Sequence, residues 1–256
     1  MSAAAPPCGA TAGAQTTCPK GGGRGMGSLL FLPASWAAGG EPLPMIVFLH
    51  GAGESGSDPR KVALQGPPKL VEPGHPMGWG GAQTPHAFLS AHFIVLSVQS
   101  HRGGFDGAEV NALVRHMTPL VNADPKWLYL TGVSMGGYGT WATAMDSPAL
   151  WAAIAPICGG AAPSEVVAKL KDKPTRVYHG SNDVVIPVAQ SDAIVAALKK
   201  AGSKNLVFER FVARGSDPNW QSRADLRNAD MTGHASWVRA YDESDELYEW
   251  FLSHSL

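Results

Sequence analysis

The stretch WLYLTGVSMGGYGTW, residues 127–141, decides the fold of this chain. Residues 127–133 are apolar and aromatic, as in a buried strand, and the residues after Ser134 can continue as a helix. Gly132 and Gly136 flank Ser134, so only small residues stand where the chain must turn sharply. A G-x-S-x-G sequence between a strand and a helix indicates a nucleophilic serine on a strained turn. In the competing interpretation, Ser134 is an ordinary helix N-cap.

Short apolar runs on both sides of this stretch alternate with segments of helical periodicity. The predicted strands are residues 28–33, 45–51, 92–98, 127–133, 151–158, 175–180 and 206–212. The predicted helices are residues 106–121, 134–145, 188–201 and 244–254. This alternation predicts an α/β fold with a mostly parallel central sheet flanked by helices. Pro33 places the first of these strands at the edge of the sheet.

Length and composition favour one domain. A chain of 256 residues with 45% hydrophobic and 16% charged residues can bury one sizeable core. We therefore expect residues 28–256 to form a single domain, without a large cap domain between residues 160 and 175. The long connections at residues 52–91 and 214–233 interrupt the alternation, and such connections either line a ligand site or are disordered.

The charge balance restricts the classes of partner. A formal net charge of −1 gives no broad basic surface that could neutralise phosphates, so nucleic acid and an anionic membrane surface are disfavoured as main partners. The apolar runs at residues 45–49 and 93–96 are far too short to span a membrane. A small-molecule ligand fits this composition better.

The first 27 residues and the cysteines bear on localisation. Residues 1–27 contain no acidic residue, two basic ones and no apolar run of signal-peptide length, which predicts a disordered or organellar targeting leader and disfavours secretion. Cys8, Cys18 and Cys158 suggest neither a disulfide framework nor a zinc site. Unpaired thiols in a reducing, cytoplasmic compartment are the resulting prediction.

A serine nucleophile needs a histidine to take its proton and a carboxylate to orient that histidine. Asp183 follows the predicted strand at residues 175–180, at the strand's carboxyl end, where sites form in α/β folds. His234 lies further along in the loop sequence MTGHASW. The order serine, aspartate, histidine is the one found in hydrolases with a strand-to-helix nucleophile turn.

Other residues compete for these two roles. Asp192 is the alternative acid, but it falls inside the predicted helix at residues 188–201. His179 ends a strand four residues before Asp183, so we expect it to pack or hydrogen-bond locally. The remaining alternatives to His234 as the base are His50 and His254.

Five blocks of sequence together resemble the dienelactone-hydrolase-like esterases, a branch of the α/β-hydrolase superfamily that includes predicted peptidases and carboxylesterases. They are VFLHGAGESG (47–56), YLTGVSMGGYGTW (129–141), IAPICGG (154–160), YHGSNDVVIPV (178–188) and GHASWVRAYDESDELYEWFLSH (233–254). The resemblance runs from about Ser28 to the C-terminus. It implies a single-domain α/β-hydrolase fold and a serine esterase that cleaves small-molecule carboxylic esters through an acyl-enzyme.

The resemblance also implies roles for residues. It places the catalytic triad at Ser134, Asp183 and His234. The chemistry of such a triad requires no metal and no organic cofactor. The oxyanion hole would be formed by the backbone N–H groups of Ala52 and Met135. We interpret His50, Gly51, Gly53 and Glu54 as residues that support the loop around Ala52 and not as catalytic residues. A peptidase, a thioesterase, or a ligand-binding protein with negligible turnover could use the same residues.

Two departures from the family pattern affect the pocket. Relatives carry a Pro-Gln pair where this chain has Val98 and Gln99, and the segment between Val212 and His234 is longer than usual. Aromatic side chains that could line a pocket or belong to the core are His75, Trp79, His86 and Trp237. Tyr241, Leu247, Tyr248, Trp250 and Phe251 are expected to form the packed face of the last helix. Asp242, Glu243, Asp245 and Glu246 are expected to be structural charges in its first turns.

Overall fold

A mostly parallel sheet organises the chain in the computed structural model, which describes residues 5–18, 26–71, 85–212 and 233–256. Within these ranges the sheet has eight strands in the order β1-β2-β4-β3-β5-β6-β7-β8. The first two strands run antiparallel to their neighbours, and the pairs from β4 to β8 are parallel. The strands are β1 (Gln15–Cys18), β2 (Ser28–Phe31), β3 (Leu43–Leu49), β4 (Ile94–Val98), β5 (Ala123–Val133), β6 (Ala153–Ile157), β7 (Thr175–Gly180) and β8 (Leu206–Phe211).

Helices cover both faces of this sheet. They are α1 (Gly66–Val71), α2 (Ala87–His92), α3 (Gly107–Leu120), α4 (Met135–Asp146), α5 (Pro163–Leu170), α6 (Ala189–Lys200) and α7 (Glu246–Leu252), with a π-helical turn at Val238–Asp242 before the last. The four predicted helices correspond to α3, α4, α6 and α7, with ends shifted by one or two residues. Helices α1, α2 and α5 were not predicted, because segments this short barely display a helical period.

The side chains of β3 show how one strand serves two cores. Val47 packs into a cluster with residues of α3, α4 and α6, among them Val110, Trp141 and Ile194. Ile46 and Phe48 point to the opposite face and pack with residues of α1, α2 and α7, among them Leu70, Leu89 and Phe251. Alternate residues of a strand face opposite sides, so an all-apolar strand implies helices on both faces. The predicted α/β class and the flanked, mostly parallel sheet are confirmed.

The N-terminal region differs from the prediction. Strand β1 lies within the segment predicted to be a leader, and it pairs with β2 in a register that places Gln15 opposite Phe31. Ala10 and Cys18 are buried in the core. Residues 5–18 therefore belong to the domain, and β2 is not an edge strand, because β1 covers its outer side. A four-residue strand among glycines and threonines carries too little periodicity to be recognised from the sequence.

The cysteines also depart from the prediction. Cys8 and Cys18 form a disulfide that links a 3₁₀ turn at Pro7–Gly9 to the end of β1. The prediction of unpaired thiols is wrong for this pair, so cysteine usage no longer argues for a reducing compartment. Cys158 is a free, buried thiol.

Two further predictions concern insertions and membrane spans. Between β6 and β7, where a cap domain was not expected, the chain forms α5 and returns to the sheet. No helix in the described part of the chain has the length and apolar character needed to cross a bilayer. The long connection predicted at residues 214–233 falls outside the described residues, apart from Gly233.

The topology brings several loops to one edge of the sheet. Strand β3 lies between β4 and β5, so the chain crosses to one side after β3 and to the other side when it reaches β5. In open α/β sheets, ligands bind outside the carboxyl ends of the strands at such a switch point. The residues that follow β3 and β5 are His50 and Ser134, so the switch point coincides with the predicted nucleophile.

Candidate active site

Ser134 stands on a strained turn between β5 and α4. Its backbone dihedrals are φ 55° and ψ −115°, a region that a non-glycine residue rarely adopts. Its N–H donates to the carbonyl of Ile157 at 3.0 Å, which ties the turn to the end of β6. A Cβ on Gly132 would lie 2.5 Å from the carbonyl oxygen of Gly136, and one on Gly136 would run into the carbonyl oxygen of Leu49. The flanking glycines are therefore required by the close approach of backbones.

The structure brings Ser134, His234 and Asp183 together from three separate segments. Nε2 of His234 lies 2.9 Å from Oγ of Ser134, and Nδ1 of His234 lies 2.7 Å from Oδ2 of Asp183. A carboxylate only accepts, so Nδ1 carries the proton and Nε2 is free to accept the serine hydroxyl proton. Asp183 and His234 are both buried, whereas Ser134 is half-buried and reachable.

The Asp183 carboxylate is held by several donors. Its Oδ1 accepts the backbone N–H groups of Val185 at 2.8 Å and Ile186 at 2.9 Å. Burial alone would raise the pKa of Asp183, but hydrogen bonds from His179, His234 and the Ile186 amide outweigh it and hold that pKa well below its usual range. The side chain is therefore ionised at neutral pH. The alternative acid, Asp192, pairs with Arg210 at 3.2 Å, away from His234.

The segment around His234 is fixed by contacts that the sequence did not announce. Gly233 has φ +67°, and a Cβ there would lie 2.5 Å from the carbonyl oxygen of Asn182. The hydroxyl of Ser236 accepts the Gly180 N–H at 2.8 Å, which attaches this segment to the end of β7. The glycine immediately before the histidine was the available signal, since only glycine adopts this conformation without strain.

Trp237 belongs to the surroundings of the site. Its ring packs edge-on against the His234 ring, with centroids 5.5 Å apart. Its Nε1–H donates to Oε1 of Gln65 at 2.9 Å. His86, another pocket candidate, instead caps α2 and contacts Tyr248 and Asp245. His75 and Trp79 lie outside the described residues.

The loop after β3 lies beside the nucleophile. Ala52 opens a 3₁₀ turn (Ala52–Glu54), and Met135 opens α4. The first amides of a helical turn have no partner inside it, so both N–H groups are available to a ligand. A Cβ on Gly51 would lie 3.8 Å from Cβ of Ser134, which shows how closely the loop approaches the serine. Apart from its chain neighbours, no atom of the described residues would lie within 4 Å of a Cβ on Gly53, so none of their contacts requires a glycine there.

Buried polar side chains hold this loop from behind. Nε2 of His50 accepts the Ser100 N–H at 2.9 Å, so its Nδ1–H donates to the carbonyl of Gly51 at 2.6 Å. Burial lowers the pKa of His50 to about 4, which keeps the ring neutral. The Gln99 side chain donates to the carbonyl of Glu54 at 2.8 Å. Burial raises the pKa of the Glu54 carboxyl, opposed by the backbone amides of Glu54 and Gly51.

The other histidines are placed differently from His234. His50 is committed to the loop, and His254 bonds to the carbonyl of Trp250 at the C-terminus. His179 lies close to Asp183, with Nε2 3.3 Å from Oδ2.

The last helix and its preceding turn pack as predicted. Tyr241, Leu247, Tyr248 and Phe251 are fully buried, and Trp250 packs against the same cluster. Of the four acidic residues, Glu246 lies in the first turn of α7 and pairs with Arg176 at 2.5 Å. Asp242 and Glu243 lie in and directly after the π-helical turn instead of within α7.

Within the described residues, Cys158, Asp183 and His234 place ligand-type atoms within 4.8 Å of one another. Burial raises the pKa of the Cys158 thiol well above its usual range. The charge of Asp183 raises this pKa further, and a hydrogen bond with the Ser134 backbone lowers it only in part. Metals bind thiolates, and the carboxylate and imidazole already bond to each other. This donor set does not fit a resident metal.

Comparison with known proteins gives structural relatives only. No family model and no curated protein matches the sequence. Among solved structures, the chain is similar to a thermostable esterase with a TM-score of 0.68 and 26% identity, over 95% of this chain and 63% of that one. A candidate dienelactone hydrolase of Klebsiella pneumoniae subsp. pneumoniae has a TM-score of 0.58 and 16% identity, over 93% of this chain and 98% of that one. This chain has the α/β-hydrolase fold.

The chain is also similar to the apo form of esterase 2 of Thermogutta terrifontis, with a TM-score of 0.51 and 16% identity, over 80% of this chain and 88% of that one. The first two structures share the α/β-hydrolase fold that the resemblance to the dienelactone-hydrolase-like esterases implies. The chain spans 63% of the length of the thermostable esterase.

Proposed function

We propose that this chain is a serine hydrolase that cleaves carboxylic esters through an acyl-enzyme. The observation that carries the proposal is the chain of contacts from Oγ of Ser134 to Nε2 of His234 and from Nδ1 of His234 to Asp183. The strained backbone of Ser134 supports it, because strain of this kind is retained where a side chain must be presented for function. The N-cap interpretation of Ser134 is disfavoured, since its side chain makes no capping hydrogen bond.

In the proposed first step, Oγ of Ser134 attacks the ester carbonyl carbon while Nε2 of His234 takes the hydroxyl proton. The carbonyl oxygen becomes an oxyanion, which the N–H groups of Ala52 and Met135 stabilise. The tetrahedral intermediate collapses, the ester C–O bond breaks, and the alcohol leaves with the proton from His234. A water molecule then attacks the acyl-enzyme by the same route and releases the carboxylic acid.

Two observations favour esters as the substrate class. The solved structure with 26% identity is an esterase, and this chain covers 63% of it. Val184 and Val185 are 76% and 55% exposed immediately after Asp183, so they offer apolar contact beside the site. An ester needs only such contact and the oxyanion donors, whereas a peptide would also need partners for its backbone N–H groups.

The test is intact-mass spectrometry after exposure to a fluorophosphonate probe. We expect one adduct on the wild type, none on Ser134→Ala and strongly slowed labelling of His234→Ala. Ser147→Ala is the matched control, since Ser147 lies on the far end of α4 and should not alter labelling. Unlabelled wild-type protein would then be assayed with ester, thioester and short peptide substrates at equal concentrations.

The outcomes separate the candidate functions. Turnover of esters above the other substrates supports the proposal, and preferential cleavage of a thioester or a peptide bond moves the chain to one of those classes. Absence of an adduct on folded wild-type protein contradicts the proposal and favours a ligand-binding protein on the same fold.

A further inference from the structure

A second histidine contacts the carboxylate of Asp183. His179 is the fifth residue of β7, and its side chain is fully buried. Its Nε2 lies 3.3 Å from Oδ2 of Asp183 and 2.9 Å from the carbonyl oxygen of Ile186. Its Nδ1 lies 2.8 Å from Oγ of Ser191. The same carboxylate oxygen thus faces His179 on one side and His234 on the other.

The hydrogen-bond partners determine the proton positions on His179. A carbonyl oxygen only accepts, so Nε2 must carry a proton to bond to Ile186. That N–H also faces Oδ2 of Asp183, in a bond shared between two acceptors. On the other side of the ring, Nδ1 lies 2.8 Å from Oγ of Ser191, and that hydroxyl also lies 3.3 Å from the carbonyl oxygen of Gly159. The ring is therefore fixed from both sides.

We propose that His179 is a positioning residue, whose Nε2–H orients Asp183 and thereby keeps His234 aligned with Ser134. This inference rests on the proposed function. His179 itself touches neither the serine nor the space where a substrate would react, and it acts only through the carboxylate. Partners one step removed from the reacting groups commonly fix the tautomer and direction of a histidine in this way.

The proposal has a consequence for the dependence of activity on pH. Among the described residues, the titratable groups that face Asp183 are His179, His234 and the Cys158 thiol. The amides of Val185 and Ile186 donate to the same carboxylate. Without the His179 donor, the buried carboxylate binds a proton more readily and, while ionised, attracts the His234 proton more strongly. Both effects move the acidic limb of the activity profile to higher pH.

The experiment measures the rate constant of fluorophosphonate labelling from pH 5 to 9. His179→Phe removes the donor, and we expect roughly tenfold slower labelling and an acidic limb shifted upward by about one pH unit. His179→Gln can place an amide N–H near the position of Nε2 and should restore most of both losses. Thr118→Val is the matched control, because it removes a buried hydrogen bond in α3 that does not touch the site.

If His179→Phe does not fold, the comparison of His179→Gln with His179→Asn decides, because the shorter asparagine amide reaches only the position of Nδ1. The positioning role would be overturned if His179→Phe and His179→Asn both kept the wild-type labelling rate and the wild-type acidic limb of the pH profile. If His179→Phe is unfolded, the same result in His179→Asn alone would overturn it. An unlabelled wild type would instead overturn the proposed function, so the two failures are distinct.

Discussion

Ala52 offers the proposed reaction a backbone amide, so proline is the substitution that removes its contribution. The site can accommodate this change, because Ala52 is the first residue of its turn and Gly51 before it has φ −77° and ψ 176°. We expect Ala52→Pro to fold and to lower kcat by about 10²- to 10³-fold, the usual cost of one lost oxyanion donor. Steady-state kinetics on an ester substrate measures this, with little expected change in KM.

The control for this prediction is Ala52→Gly, which retains the amide and should retain most of the activity. Equal losses in the glycine and proline variants would show that the Ala52 side chain or loop conformation matters, instead of the N–H group.

His50 gives a second prediction at this scale, in the pH dependence of stability. Its pKa is about 4 in the folded chain and 6.5 for an ordinary histidine. Because the folded value is lower, the unfolded chain takes up the proton first as the pH falls. The stability contributed by neutral His50 is complete above pH 6.5 and is lost progressively toward pH 4, a decrease of about 3 kcal/mol in the free energy of unfolding.

Urea unfolding at several pH values between 7 and 4 tests this effect. His50→Gln should flatten the decrease, while His116→Gln, at an exposed position of α3, should leave it as in the wild type. A His50→Gln curve parallel to the wild type would mean that other groups cause the acid sensitivity.

At the scale of elements, sequence reasoning succeeded where a residue pattern repeats or a turn needs particular residues. Strand β7 was predicted at its observed bounds, Thr175–Gly180, because residues that favour strands, such as threonine, valine and tyrosine, are followed by a glycine. The turn at Ser134 was predicted because a strand pattern before it, a helix pattern after it and the flanking glycines occur together. The order of Ser134, Asp183 and His234 predicted a triad, and the structure brings these three side chains into contact, while their catalytic roles stay a prediction.

What the sequence could not provide are contacts between distant segments. The bond from the Gly180 N–H to Ser236 and the bond from Gln99 to Glu54 join residues 56 and 45 positions apart, and the sequence around each residue does not indicate its partner. Strand β1 is another such case, since its four residues become a strand only through pairing with β2. Tertiary pairing of this kind overrides weak local preference.

The disulfide that anchors β1 leads to a prediction. Cys8 and Cys18 are 10 positions apart, and closing a loop of that size stabilises the folded state by about 2 to 3 kcal/mol. We expect no reactive thiol in the native protein and one, Cys158, after denaturation. Reductant should lower the free energy of unfolding of the wild type by a similar 2 to 3 kcal/mol.

A Cys8→Ala, Cys18→Ala double variant is the control, because its stability should not respond to reductant. Thiol quantification with and without denaturant, followed by urea unfolding with and without reductant, measures both quantities. Three reactive thiols in the denatured, unreduced protein would contradict the disulfide.

At the scale of the whole molecule, the proposed site depends on the integrity of the sheet. Ser134 follows β5, Asp183 follows β7, and His234 comes from a segment attached to β7 and to Gln65. None of these segments holds all three groups, so the site forms only when the parallel strands are paired. We therefore expect the labelling of Ser134 to be lost in the same urea range as the tertiary structure.

A variant of Ser236 tests whether the segment that carries His234 can separate from the sheet before the sheet unfolds. Ser236→Ala removes the acceptor of the Gly180 N–H, so the segment that carries His234 can separate from β7 before the sheet unfolds. In this variant, fluorophosphonate labelling should be lost at a lower urea concentration than the far-UV circular dichroism signal of the sheet and helices, whereas the two midpoints should coincide in the wild type. Coincident midpoints in both proteins would show that the remaining contacts of His234 and Trp237 suffice to hold the segment. Separated midpoints already in the wild type would show that the site opens locally, independently of the sheet.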